Sequence, residues 1–343
     1  MSWMKRISIW IVVSLSLQCL GLFYIDHYFL ANNSKTVSKK VVENASTKPK
    51  NIDITVPTDA TKILVSYDAK YLSYYEDDKL VIVNCTTGKT KNIKSEDGCN
   101  VSFASWVPNR NRMVFVEKES ADESSNLILY SYDVVKDEKV KMIKLEWSDT
   151  STVIEEIQTA PLTGVTCIKV SNSNNTTSIY RIDRMHEITK KINTIPNLVG
   201  NIVLIRHEDK LVYEGSVYNK IYVTGKNNAI SVGGVDNLTL IAADDDDVIY
   251  LAQLKDTLIS KVYYGKTSQD TSTWKAIELH TPCVKEDLFV SGNGKIYQND
   301  PLKGSIKDIN SGTQTSYKGK LVQLYNKGIV SLVNNTISFV PFK

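Results

Sequence analysis

Four consecutive carboxylates, Asp244, Asp245, Asp246 and Asp247, stand between Ile241 and Val248. A hard cation such as Ca²⁺ takes several carboxylate and carbonyl oxygens, so an acidic turn of this kind supplies part of such a site. The same residues also read as a solvated turn between two strands. That reading is preferred, because polar turns recur in the same place at 206–210 and 292–295. No cofactor is called for, and these four aspartates are the sole metal candidates. A softer metal would need His and Cys at short spacing. Instead His27, His186, His207 and His280 are scattered and read as loop residues, while Cys19, Cys85, Cys99, Cys167 and Cys283 show no paired metal spacing. Buried small apolar groups are the preferred reading of the thiols. Cys85 and Cys99, both near strand ends, are the pair that best suits a disulfide. The chain lacks G-x-S-x-G, so no nucleophile elbow is expected and no residue is assigned a catalytic role.

Tyrosine is plentiful, including Tyr71, Tyr74, Tyr75, Tyr130, Tyr132, Tyr263 and Tyr264. A phenol joins a large apolar face to a hydroxyl, which suits stacking on sugars or peptide side chains and equally suits packing between sheets. Packing is the preferred role, and Trp106 and Trp274 are anchors of either sort.

These side chains must be positioned by strands. From Ile52 onward, short runs of Val, Ile, Tyr and Leu alternate with polar residues and are punctuated by Asn, Asp, Gly and Lys. No stretch after residue 50 keeps a helical period over three turns, so the domain is all-β. The phrase 66–91 (turn, strand, Asp-Asp turn, strand, Thr-Gly turn, strand) returns at 107–141, about 42 residues on, which is a propeller-blade period. Looser phrases follow at 153–192, 201–232, 238–277, 287–317 and 319–340. They make seven units, with six or eight inside the error of phrase counting and a pair of β-sandwiches as the structural alternative. The last unit has room for three strands, and NIDITVP at 51–57 is otherwise unemployed. The expectation is a seven-bladed β-propeller whose N-terminal strand closes the ring, because an unpaired edge there would be a liability.

The phrases SYDAKYLSYYEDDKLVIVN, WVPNRNRMVFVEK and LILYSYDV resemble the repeats of TolB-like propellers and of the propeller domain of dipeptidyl peptidase IV relatives. Those repeats place a turn like S-P-D-G-K before an aromatic-ending strand and follow it with L-Y-x-x-D. Here the turns are Ser66-Tyr67-Asp68-Ala69-Lys70 and Val107-Pro108-Asn109-Arg110-Asn111. The match is specific in the first two units. It implies the propeller fold, without the peptidase chemistry, which in that family resides in a separate α/β-hydrolase domain. The Gly-His and Trp-Asp signatures of WD repeats are absent.

Ahead of this domain, Lys5 and Arg6 precede an uncharged run from Ile7 to Ile25. About 19 helical residues reach about 28 Å, the thickness of a bilayer's hydrocarbon core. The flanking cations keep the N-terminus in the cytoplasm. A cleaved signal would carry a shorter apolar core and a small-x-small site; an uncleaved anchor is preferred. Gln18 before Cys19 argues against lipidation. The expected layout is residues 1–30 as cytoplasmic tip and transmembrane anchor, 31–50 as a flexible stalk, and 51–343 as an extracytoplasmic propeller. A net charge of +3 offers no basic face for nucleic acid. Usage of Asn, Lys and Ile suits an AT-rich bacterial genome, where the sequons at Asn44, Asn84 and Asn237 carry no weight. The functional expectation is a non-catalytic binding or scaffold module for a protein or cell-envelope partner. The alternative is a hydrolase or lyase acting on envelope polysaccharide, which requires paired carboxylates at the ring axis.

Overall fold

A computed structural model describes residues 3–25 and 53–343, apart from 78, 97–98, 121–124, 148–150, 175, 184, 186–187 and 236. It falls into two compact units, Met1–Lys48 and Pro49–Lys343. The expected stalk, His27, Ile52 and His186 lie outside the described residues. In the first unit, α1 (Trp3–Tyr24) is a single helix, and its stretch Lys5–Tyr24 is long and apolar enough to cross a membrane. Its length and composition suit an anchor and a signal sequence alike.

The second unit is a seven-bladed β-propeller. Strand β1 (Ile54–Thr55) is set apart below. Blade 1 comprises β2 (Thr61–Val65), β3 (Tyr71–Glu76), β4 (Lys79–Asn84) and β5 (Thr90–Asn92); blade 2 comprises β6 (Cys99–Trp106), β7 (Arg112–Ser120), β8 (Ser125–Asp133) and β9 (Glu138–Trp147). Blade 3 holds β10 (Val153–Ala160), β11 (Val165–Ser171), β12 (Thr177–Ile182) and β13 (Ile188–Ile192), and blade 4 holds β14 (Val199–Leu204), β15 (Leu211–Gly215) and β16 (Lys220–Val223). Blade 5 follows as β17 (Leu238–Ala243), β18 (Val248–Lys255), β19 (Leu258–Lys266) and β20 (Lys275–Cys283); blade 6 as β21 (Leu288–Val290), β22 (Ile296–Asp300), β23 (Ser305–Asp308) and β24 (Gln314–Ser316). Blade 7 has β25 (Lys320–Tyr325), β26 (Gly328–Val333) and β27 (Thr336–Pro341) from its own segment, and β1 pairs with β27 as the fourth strand. That closing pair is Ile54 opposite Ile337 and Thr55 opposite Thr336, extended by Val56 N–H to the Asn335 carbonyl at 2.9 Å.

The sequence dictates this layering. The second strands are buried along nearly their whole length, as in Val165–Ser171 and Leu211–Gly215, and are mostly apolar, because a blade is covered on both faces by its neighbours. Apolar packing is accordingly divided among seven seams. Phe115 and Tyr130 of blade 2 meet Leu80 and Ile82 of blade 1, and Val330 of blade 7 meets Leu72 and Val81 of blade 1. Most of the tyrosines go there: Tyr74, Tyr75, Tyr130, Tyr132 and Tyr263 are buried, and Trp274 sits in the seam between blades 4 and 5. First strands touch first strands around the axis. Because the strands of a blade alternate in direction, turns joining first to second strands all lie at one end of the ring. Turns joining second to third strands lie at the other.

The favoured cysteine pairing does not form: all five thiols are free. Cys85 follows β4 at one end of the ring, whereas Cys99 opens β6 at the opposite end. Burial lifts the Cys85 and Cys167 thiols to about 12 and Cys283 to about 11, so they behave as packing groups.

Candidate functional site at the channel mouth

The first-to-second-strand turns converge on a cavity of about 470 Å³ at the axis. Six aromatic side chains line it: Tyr67, Trp106, Phe289, Tyr325 and Phe342, each partly exposed, and the buried Tyr297. The amides of Asn109, Gln323 and Asn326 and the guanidinium of Arg206 supply the polar groups. The aromatic walls are braced from behind. Trp106 stacks on Tyr71 and donates its indole N–H to Ser73 Oγ at 3.1 Å, and Phe342 stacks on Tyr297 with ring centroids 4.6 Å apart. A smaller cavity of about 180 Å³ shares Arg206, Ile241 and Ala242 with the first and brings Glu156 and Asn201 to the axis. The arrangement suits a ligand with apolar faces and hydrogen-bonding edges.

Asp244–Asp247 form the first-to-second-strand turn of blade 5, at this mouth. Three of the four carboxylates are aimed at different partners. Asp244 is buried; its Oδ1 accepts the N–H groups of Asp246 and Val248, both at 2.9 Å, and its Oδ2 accepts the Tyr250 hydroxyl at 2.8 Å. Burial first, and this carboxylate second, push the Tyr250 phenol above its ordinary value. Asp245 is ion-paired with Arg206 of blade 4 and accepts from Asn109 Nδ2 of blade 2 at 3.4 Å, while its N–H donates to the Gly292 carbonyl of blade 6 at 2.8 Å. A Cβ on Gly292 would lie 2.8 Å from the Asp245 carboxylate oxygens, so only glycine admits this approach. Asp247 accepts the His207 N–H at 3.0 Å and faces its Nδ1 at the same distance. Asp246 is exposed. The turn thus acts as an inter-blade junction. Among the described residues, no three His, Cys, Asp or Glu side chains gather in a way that would hold a metal ion.

Blade 1 uses the same device on a smaller scale. Asp68 Oδ1 accepts the Lys70 N–H and Oδ2 accepts Asn111 Nδ2 of blade 2, both at 3.1 Å. Burial pushes the Asp68 carboxyl up, but the Asn111 and Lys70 hydrogen bonds outweigh it and hold the group below the usual carboxylate range. Left-handed residues make these turns: Ala69 at φ 57° and Asn109 at φ 58°.

Sequence reasoning missed the buried polar groups that cross the seams. Glu214 on β15 accepts the Thr239 hydroxyl at 3.0 Å, the Leu240 N–H at 3.1 Å and Lys285 Nζ at 3.0 Å. Glu156 on β10 accepts from Gln158 Nε2 at 2.8 Å and the Ile202 N–H at 3.3 Å, with Lys169 Nζ 3.6 Å away. Burial lifts its carboxyl above the usual range against the pull of Gln158 and Lys169. Glu117 on β7 is fully buried, paired within its own blade with Lys139 Nζ at 2.6 Å and accepting the Glu96 N–H of the linker from blade 1 at 3.3 Å. Such partners lie tens of residues apart, so only the mid-strand charge in an apolar run signals them. A separate groove of about 500 Å³ follows the seam of blades 3 and 4, floored by Leu204, Leu211 and Tyr213 and edged by the Arg181–Asp209 pair at 2.7 Å.

No protein-family model matches the chain, and no curated protein sequence matches it. Solved structures do. The β-propeller domain of the Trilobed protease from Pyrococcus furiosus is 12% identical with a TM-score of 0.53, over 82% of this chain and 92% of that one. A chain of the Mitotic Checkpoint Complex is 10% identical at 0.52, over 91% and 99%. Hsv2 of Kluyveromyces marxianus is 13% identical at 0.50, over 82% and 91%. The Pyrococcus domain is described as having an open velcro topology, whereas here β1 joins blade 7. At these identities the likeness is one of fold: the chain is a β-propeller.

Proposed function

We propose that this chain is a non-catalytic binding or scaffold propeller, anchored by α1 with its N-terminus in the cytoplasm and its ring outside, that recognises a protein or cell-envelope partner at the channel mouth. In this reading residues 1–30 are tip and anchor, 31–50 a stalk, and 51–343 the binding domain, with a TolB-like kinship resting on the repeat phrases. The observation that carries it is the aromatic-walled, amide-edged cavity to which six of the seven blades contribute. Propellers of this fold among the solved structures include a component of the Mitotic Checkpoint Complex, which supports a binding role. A photoreactive phenylalanine analogue at Tyr325, in the anchored chain in its own membrane, is expected to capture a partner, and Trp106→Ala to abolish capture. Protease added to intact cells is expected to remove the ring; a protected ring refutes the topology.

One observation favours the second reading, a hydrolase or lyase acting on envelope polysaccharide. Glu156 lines the axis with a raised carboxyl, as a general acid requires. Its oxygens are nevertheless occupied by Gln158, Ile202 and Lys169, and Asp245 is held by Arg206 and Asn109. Turnover of such a polymer by the purified chain, lost in Glu156→Gln, would replace the binding reading.

A further inference from the structure

Three aromatic rings of the channel mouth are held by neighbours while staying partly exposed to the cavity. Trp106 stacks on Tyr71 with planes inclined 27°, Phe342 stacks on Tyr297 within 5° of parallel, and Tyr325 packs edge to face with Phe339, ring centroids 6.5 Å apart. The Trp106 indole N–H is committed to Ser73, so this residue offers its ring alone. Rings fixed in advance lose little further side-chain freedom when a ligand stacks on them. The polar groups beside them are open: the Asn326 amide is exposed, and among the described residues neither it nor the Tyr67 and Tyr325 hydroxyls make a hydrogen bond within the protein.

These features narrow the occupant. Among the described lining residues the sole ionic side chain is Arg206, and its guanidinium is already paired with Asp245. A phosphate or carboxylate would have to displace that pair, so nucleotides, acidic glycans and acidic peptides are poorly matched. A purely apolar occupant fails differently, because it strips water from the amide and hydroxyls and leaves them unpaired. A neutral protein loop brings few hydrogen-bonding edges beside an apolar side chain. A pyranose ring brings both together: its C–H groups make a flat apolar face that suits the electron-rich face of an aromatic ring, and its adjacent hydroxyls offer donor and acceptor side by side, as a carboxamide does. At about 470 Å³ the cavity is of small-ligand size.

We propose that the channel mouth binds a neutral hexopyranose chain, with Trp106, Tyr325 and Phe342 as stacking platforms and Asn326 as the amide that reads its hydroxyls. This rests on the reading of the mouth as a binding site. The test purifies the full chain in a sugar-free detergent and titrates it with neutral oligomers of glucose, mannose, galactose and N-acetylglucosamine, and with a galacturonate oligomer of matched length. Calorimetry reads affinity, and saturation-transfer NMR reads which ligand protons touch the protein. At least one neutral oligomer is expected to bind, with transfer strongest at its ring C–H protons, and the galacturonate oligomer is not. Tyr325→Ala is expected to weaken that binding about tenfold. Asn326→Ala, which alters an exposed side chain and leaves the melting temperature unchanged, is expected to weaken it about threefold to tenfold. Binding that neither substitution weakens places the sugar elsewhere and overturns the proposal, as does tighter binding of galacturonate. No binding by any oligomer, with a protein captured by the photoreactive analogue at Tyr325, overturns it and leaves the binding reading standing. Neither bound sugar nor captured partner overturns both.

Discussion

Blade 2 runs four strands of 8, 9, 9 and 10 residues, and blade 4 runs three of 6, 5 and 4. Both keep a first strand at the axis and an apolar second strand, and both send a second-strand carboxylate, Glu117 or Glu214, into a seam. They differ at the rim. Blade 2 ends in a full fourth strand. Blade 4 instead caps the outward carbonyls along its third strand and the turn residue before it one at a time: Asn219 accepts the Leu238 N–H at 2.9 Å, Ile221 the Ile230 N–H at 2.7 Å and Val223 the Lys226 N–H at 3.0 Å. The ring therefore depends on inner strands and seams, and an outer strand is dispensable where its hydrogen bonds are replaced. The groove of about 500 Å³ at the seam of blades 3 and 4 is the structural cost.

If the seams carry the ring, Glu214→Ala is the most damaging single change. It leaves the buried Leu240 N–H and Thr239 hydroxyl without their acceptor and breaks the ion pair to Lys285, at about 3–5 kcal/mol, read as a lower denaturation midpoint. Glu117→Ala in blade 2 is expected to cost less, about 1–3 kcal/mol, because the backbone N–H it releases belongs to exposed Glu96 and Lys139 keeps the Lys94 carbonyl as an acceptor. Equal losses would erase the distinction between the two clamps. The rim cap is tested by Ile230→Pro, which removes the donor to Ile221 and is expected to cost about 1–3 kcal/mol and to raise aggregation by light scattering. No change would mean that blade 4 needs no cap.

A pH series separates seam from mouth. The folded-state carboxyl of Glu156 lies above its ordinary 4.5, so the stability it confers is complete below that value and is lost as pH rises through the folded-state one. Relative to the parent, Glu156→Gln is expected to gain stability as pH rises above 4.5. Asp68 is the opposite case: it stabilises above its ordinary 3.8 and loses this as pH falls through its lowered value, so Asp68→Asn blunts the acid limb. The smallest effect belongs to the mouth, where Asp245 is 44% exposed: Asp245→Asn is expected to shift stability by less than about 1 kcal/mol. A melt in chelator is expected to match one in calcium, and a difference would restore the acidic turn as a cation site.

The blades were legible because their grammar is local. The 42-residue beat in Ser66–Lys91 and Val107–Lys141 reflects strands long enough to alternate and turns rich in Asp, Asn and Gly, and counting such phrases gives seven. Asp244–Asp247 was legible as a turn for the same reason. What that turn does was not: Arg206 lies 39 positions from Asp245, and Asn109 lies 136 away, so their meeting is a property of the closed ring. Glu214 and Lys285 are hidden likewise, 71 positions apart. The missing fourth strand of blade 4 left a trace in SVGGVDN, where Gly233 and Gly234 take φ of 60° and 77°, but local chemistry does not distinguish a capped edge from a strand. The aromatic mouth draws on side chains from blades at both ends of the chain, and a tyrosine bound for a seam looks like one bound for the axis.

The pairing of Ile54 and Thr55 with β27 gives this molecule a mechanical weak point. Tension arriving along the polypeptide from its N-terminal side meets just two rungs before it reaches any longer ladder. Load applied there peels blade 7 first and turns a ring into an open arc, while each of the other six blades stays internally laced.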